Sequence, residues 1–260
     1  MEISEIKFSR PRSYLRDCYI LLHLPRYMFI ACFMIIGAFM APKVNWYHFI
    51  LEFIAVSGGV LLCAYRLDEW KGAHVSASIP KSHHKITALI GFVIMFGIGG
   101  FMIATIDWTL ILWAFLGFVG VVLYNFEIGG KFTHNEFIFG VTWAFVPVCA
   151  SYYIQTGTLT VPVILFGLFA MVIANLHIWS YGLCQCRHSH TCKEYIEYQK
   201  DRKKPAQFHR ICHGMDCHNR LIMPKEVHRY AWKLINIQFY LIVMITLYFV
   251  VNHFMDFDIF

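Results

Sequence analysis

The chain reads as an all-α integral membrane protein, a bundle of about seven transmembrane helices with a Cys/His-rich cytoplasmic loop. Three observations predict this. Only 15% of the 260 residues are charged and 58% are hydrophobic, against about 25% charged in a soluble domain. Apolar stretches near the ~20 residues needed to cross a bilayer recur along the whole chain. Of the 22 Lys and Arg residues, all but Lys43 fall in or beside alternate connections, the asymmetry expected of cytoplasmic loops.

Residues 1–26 form an amphipathic basic segment, with Lys7, Arg10, Arg12, Arg16 and Arg26 among apolar side chains. They predict an interfacial helix ending near Pro25. No signal-peptide cleavage pattern follows, so the first apolar helix is expected to be retained. Span 1 covers about 27–42, which is short unless Pro25 only kinks a longer helix. Pro42-Lys43-Val44-Asn45 is a tight turn. Span 2 covers about 46–65, and a polar loop holds Arg66 to Lys85. Span 3 covers about 86–105, span 4 about 108–124 and span 5 about 137–155, with a polar loop at 125–136 between the last two. Gln155-Thr156-Gly157-Thr158 makes a turn into span 6, about 160–181. The Cys/His-rich loop occupies 182–228. Residues 229–260 supply the last span, about 230–251, and a short tail with Asp256 and Asp258. Under this count the N-terminus and the loops at 66–85, 125–136 and 182–228 share one side, which the positive-inside rule places in the cytoplasm. The localisation expected is a cytoplasmic or inner membrane. The net charge of +6 then reflects basic loops at an anionic membrane face. Nucleic acid is the poorer explanation, because the cations are divided among loops.

Three stretches resemble the UbiA-type intramembrane prenyltransferases. Tyr65-Arg66-Leu67-Asp68-Glu69-Trp70-Lys71-Gly72-Ala73-His74 is similar to the first aspartate motif, with Asp68 and Gly72 in place. Ala64 and Tyr65 stand where the family has Asn-Asp, and His74 where it has its last Asp. Asn135-Glu136 through Gly140 and Pro147 to Tyr153-Ile154-Gln155-Thr156-Gly157 resembles the family's G-E-x-x-x-G…P…Y-x-Q-T-G segment. Ala174-Asn175-Leu176-His177 lies where the family begins its second aspartate motif. The resemblance covers roughly residues 20–180, with the UbiA-like bundle at residues 27–181, and implies a membrane bundle that handles a polyprenyl diphosphate through Mg²⁺. The departures point elsewhere. Mg²⁺ needs hard carboxylate oxygens, yet His177-Ile178-Trp179-Ser180 follows Asn175 where aspartates belong, and about seven spans are expected here against about nine in the family. The expectation is a non-catalytic relative that binds a lipid or quinone, with Asn125, Glu136, Asn175 and His177 as candidate contacts. It would serve as an accessory subunit of a membrane redox complex, its remaining apolar surface covered by partner helices or lipid. The alternative is a divergent Mg²⁺-dependent prenyltransferase using Asp68, Glu69, Glu197 and Asp201. Fold resemblance alone does not decide between them. A transporter is disfavoured, because no repeat symmetry is seen.

The Cys/His segment adds its own chemistry. Five of nine cysteines and five of fourteen histidines lie between Cys184 and His218. In a cytoplasmic loop disulfides are disfavoured, and grouped Cys and His point to a metal. Zinc takes four thiolate or imidazole ligands in a tetrahedron. Cys184, Cys186, His188 and Cys192 are candidates from the first half, and Cys212, His213, Cys217 and His218 from the second. An iron–sulfur cluster and a haem are alternatives. Cys212-x4-Cys217-His218 resembles a widened haem-attachment motif, and His74 and His177 could ligate a haem. Glu52 in span 2 is a further functional suspect, since a carboxylate at membrane depth is costly.

Overall fold

A computed structural model describes Cys18 and residues 24–68, 79–126, 135–191 and 225–255. These residues are helical apart from short turns, and seven rods run up and down in chain order. The first, α1, is Leu24–Phe39. The second, α2, joins Trp46–Ser57, a wide π-turn at Gly58–Ala64 and Tyr65–Asp68. Next come α3 at Lys81–Thr105 and α4 at Leu110–Phe126. The fifth rod, α5, joins Glu136–Gly140, a second π-turn at Val141–Phe145 and Val146–Thr156. The last two are α6 at Val161–Thr191 and α7 at Lys225–Met255. Five of the rods are long and apolar enough to cross a membrane, while the apolar parts of α1 and α4 are shorter. The protein is an integral membrane helix bundle.

The helix ends follow from local chemistry. Asn45 caps α2 by accepting hydrogen bonds from the Tyr47 and His48 amides, and Asn135 caps α5 through the Ile138 amide. Gly157 ends α5 in the left-handed region, φ 70°, where glycine meets no Cβ penalty. Pro25 lies in the first turn of α1, where its missing N–H costs nothing, so it helps start this helix. Pro147 lies inside α5. A proline there cannot bond back to the Trp143 carbonyl and clashes with it. The widened turn at Val141–Phe145 ends just before it and absorbs that misfit. Hydroxyls in the rods, half-buried at Ser57 and Thr142 and buried at Ser180 and Thr246, donate to carbonyls one turn back, which satisfies them where water is absent.

At the centre of the bundle is α5, with 67% of its apolar window buried against 17% for α3. It lies against α1 so closely that a Cβ on Gly37 would come within 2.2 Å of the Val148 carbonyl oxygen. A Cβ on Gly91 of α3 would come within 2.6 Å of the Gly58 carbonyl oxygen on α2. Here the first π-turn and its glycines let two backbones touch. The core is built from Phe33, Met34 and Ile36 of α1, Val148 and Cys149 of α5, Val163 of α6 and Ile242 of α7. Exposed Leu89, Val93, Leu112 and Phe115 on α3 and α4 present the apolar surface that acyl chains require.

The helices depart from expectation in two places. Helix continues through Arg66, Leu67 and Asp68, and begins again at Lys81, inside the stretch expected as a loop. The helix α6, expected to stop near residue 181, continues to Thr191, so Cys184, Cys186 and His188 lie on helical backbone. At 31 residues and about 1.5 Å per residue this rod is longer than a ~30 Å hydrocarbon core, and its polar end projects past it.

Candidate functional site

Alternating helix directions put the turns at residues 40–45, 106–109 and 157–160 at one end, called here the Lys43 end. The ends of α2, α4 and α6 and the starts of α3, α5 and α7 form the other, basic end. The site lies in the basic half. On its α5 wall Phe139 stacks on Trp143, centroids 5.1 Å apart, and Trp143 faces Tyr65 of α2 at 6.1 Å. Gly140 lies between them and α6. A Cβ there would come within 2.3 Å of Asn175 Oδ1 and 2.7 Å of Met171. Glycine at that position therefore lets the Asn175 side chain lie flat against α5. Asn175 Oδ1 is buried and accepts no hydrogen bond from any described residue.

Two residues along α6 and on a different side of it, the His177 ring packs on Phe29 of α1 at 4.4 Å, and Phe29 also meets Phe239 of α7 at 6.5 Å. Phe166 meets Phe249 where α6 and α7 run antiparallel. Gln238 is as many residues from Phe249 as His177 is from Phe166, so the two lie level. Gln238 is buried, and neither its oxygen nor its nitrogen has a partner among the described residues. The sequence reading missed Gln238. Its signal is an amide in register with Ala231, Ile235, Ile242 and Thr246, the buried stripe of α7. Arg66, also missed, is buried at the α2 end with its Nε unpartnered among the described residues.

The expected contacts divide. Asn175 meets α5 at Gly140, and His177 meets α1 at Phe29. Glu136 is exposed in the first turn of α5, where a carboxylate favours the helix dipole. Asn125 lies in the last turn of α4 and Asp68 in the last turn of α2, both by backbone alone. Glu69, Glu197, Asp201, Cys192, Cys212, His213, Cys217 and His218 lie outside the described residues, as does His74. Among the described residues no three His, Cys, Asp or Glu side chains are grouped to hold a metal ion.

The Lys43 end is bonded differently. Tyr153 donates to Asp107 Oδ2 at 3.1 Å and shares a 2.6 Å hydrogen bond with the Thr109 hydroxyl. The Thr109 amide donates to Asp107 Oδ1. That amide and the Thr109 hydroxyl, with a smaller contribution from Tyr153, hold the Asp107 carboxyl below the usual carboxylate range. Gln155 accepts the Asn45 amide at 2.7 Å, and Thr156 donates to the Tyr152 and Thr158 carbonyls. The segment Tyr153 to Gly157 is thus a clamp between turns, with Gly157 as its left-handed cap. Deeper in, Ser151 donates to Glu52 Oε1 at 2.5 Å, and the Tyr27 and Ser57 hydroxyls share a 2.5 Å bond.

No family model, curated protein or solved structure matches this chain.

Proposed function

We propose that this chain is a non-catalytic, UbiA-like membrane subunit that holds the head group of an isoprenoid lipid or quinone in its basic half. Asn175 and Gln238 supply polar contacts, Phe29, Phe139, Trp143 and Tyr65 supply apolar walls, and His177 lies between them. The observation that carries this reading is the pair of buried amides, Asn175 Oδ1 and both ends of Gln238, with no partner among the described residues. A buried amide without a hydrogen bond costs about 1–3 kcal/mol, a cost that a bound hydroxyl would relieve at the two oxygens and a bound carbonyl at Gln238 Nε2. Gly140 meeting Asn175 also joins two of the stretches on which the resemblance rests. The basic end faces the cytoplasm in this reading. The segment beginning at Cys184 binds zinc there and docks a partner subunit of a membrane redox complex.

One preparation tests both halves. Protein purified in mild detergent should release a quinone or polyprenyl lipid on solvent extraction, and plasma mass spectrometry should find about one or two zinc per chain. Iron with a visible absorption band would replace zinc by a cluster or haem. The second reading is a divergent prenyltransferase, and the placement of Asp68 at the same end as Asn175 favours it. Mg²⁺-dependent release of diphosphate from a polyprenyl diphosphate, lost in Asp68→Asn, would establish that reading and overturn the first.

A further inference from the structure

The seam between α2 and α5 carries polar contacts that the lipid site does not use. Asn45 at the Lys43 end gives its amide to Gln155. One turn in, His48 Nδ1 lies 3.4 Å from the Ile154 carbonyl. A further turn in, Glu52 accepts the Ser151 hydroxyl at 2.5 Å. Residues 45, 48 and 52 share one face of a helix, and burial rises along it. Asn45 is exposed, His48 half-buried, and Glu52 only 5% exposed. The next turn is closed, since Ala55 and Val148 are apolar and buried and Gly37 packs on the Val148 backbone. The row is a blind polar track, open at the Lys43 end and ending on a carboxyl. Glu52 Oε2 is buried and has no partner among the described residues.

We propose that Glu52 is an intramembrane proton-binding site, reached along this track from the Lys43 end. An isolated carboxylate in an apolar interior costs far more than its neutral acid. Among the described residues, the neighbouring helices bring no cation to this depth. Helix α1 carries Tyr27 and Cys32, α5 carries Cys149, Tyr152 and Tyr153, and α3 has no titratable residue between Ile86 and Thr105. Arg26 and the group Lys81, His83, His84 and Lys85 lie toward the basic end, as does Glu136. His48 on α2 itself is the one other titratable group on the track. A sodium ion is a poorer occupant than a proton, because it needs several oxygens and, among the described residues, only Ser151 Oγ bonds to the carboxyl. The proton binds Oε2 while Oε1 keeps the Ser151 hydroxyl, and it leaves by the same track, since the inner end is closed.

Dicyclohexylcarbodiimide tests this on the full chain in sealed proteoliposomes. The acid adds across the reagent's C=N bond. The carboxyl oxygen bonds to carbon, the proton passes to nitrogen, and no group leaves. Peptide mapping should find the adduct on Glu52, falling several-fold as pH rises from about 6 to about 9, since only the neutral acid reacts. It should follow the pH of the compartment in which Lys43→Cys is labelled by an impermeant maleimide, and His48→Leu should slow that response. Glu52→Gln should remove the adduct. If that variant does not fold, the wild-type peptide map decides alone. No adduct on Glu52, an adduct indifferent to pH, an adduct that follows the opposite compartment, or protection by sodium at fixed pH would each overturn the proposal. The lipid content of the same preparation reports separately on the basic-half site.

Discussion

The two ends of this bundle differ in how many of their polar residues bond across helices. At the Lys43 end several polar groups bond across helices, Asn45 to Gln155, Asp107 and Thr109 to Tyr153, Glu52 to Ser151, although Glu52 Oε2, Gln155 Nε2 and Asn252 Oδ1 are buried there without a partner among the described residues. In the basic half Asn175 Oδ1 and the Gln238 amide are buried and receive nothing from the described residues. Buried polar groups are normally satisfied, and those that are not call for an explanation. One end is therefore a clamp that fixes helix positions. The other, in the function proposed above, is a site whose bonding a bound lipid completes.

The largest expected effect comes from the seam both ends depend on. Gly37→Leu would drive a side chain into the Val148 backbone. It should lower stability by about 1–3 kcal/mol or more, read as loss of the folded peak in size-exclusion chromatography or a fall in Tm. Polar substitutions then separate the ends. Tyr153→Phe removes a hydroxyl bonded to both Asp107 and Thr109 and should cost about 1 kcal/mol in detergent unfolding. Gln238→Leu, buried in the basic half, should leave the lipid-free protein as stable or slightly more so, because it deletes groups without partners. A Gln238→Leu loss as large as that of Tyr153→Phe would erase the contrast.

The fold was legible because its signals are local. The turns at Asn45, Asp107 and Gly157 fall where capping residues and apolar run lengths put them. What escaped depends on other helices. That Pro147 would be absorbed by a widened turn, or that Gln238 would lie on the buried stripe of α7, is decided by packing. Glu52 drew notice as a carboxylate in an apolar run, but its Ser151 partner is far away in sequence. Asn175 was placed through a resemblance, and its contact with Gly140 needed the structure. The helix through Cys184 was misjudged because polar residues there look like loop, while a helix end clear of the lipid tolerates them.

The smallest expected effect lies at Asp107. Hydrogen bonds from Thr109 lower its carboxyl pKa in the folded protein. Its contribution is therefore present above the unfolded carboxylate range, about 4, and is lost as pH falls through the lower folded value. Asp107→Asn should flatten the acid limb of a Tm-against-pH curve and leave the neutral region nearly unchanged. A deeper acid limb in the variant would contradict the clamp.

The most direct test of the central claim is extraction and mass spectrometry of the lipid that stays with the protein. Wild type, Tyr153→Phe and Gln238→Leu should be purified side by side in mild detergent. A quinone or polyprenyl lipid near one per chain in the wild type and Tyr153→Phe, and lost from a folded Gln238→Leu, is the result expected. An empty wild-type protein, or equal lipid in all three, would contradict a site in the basic half.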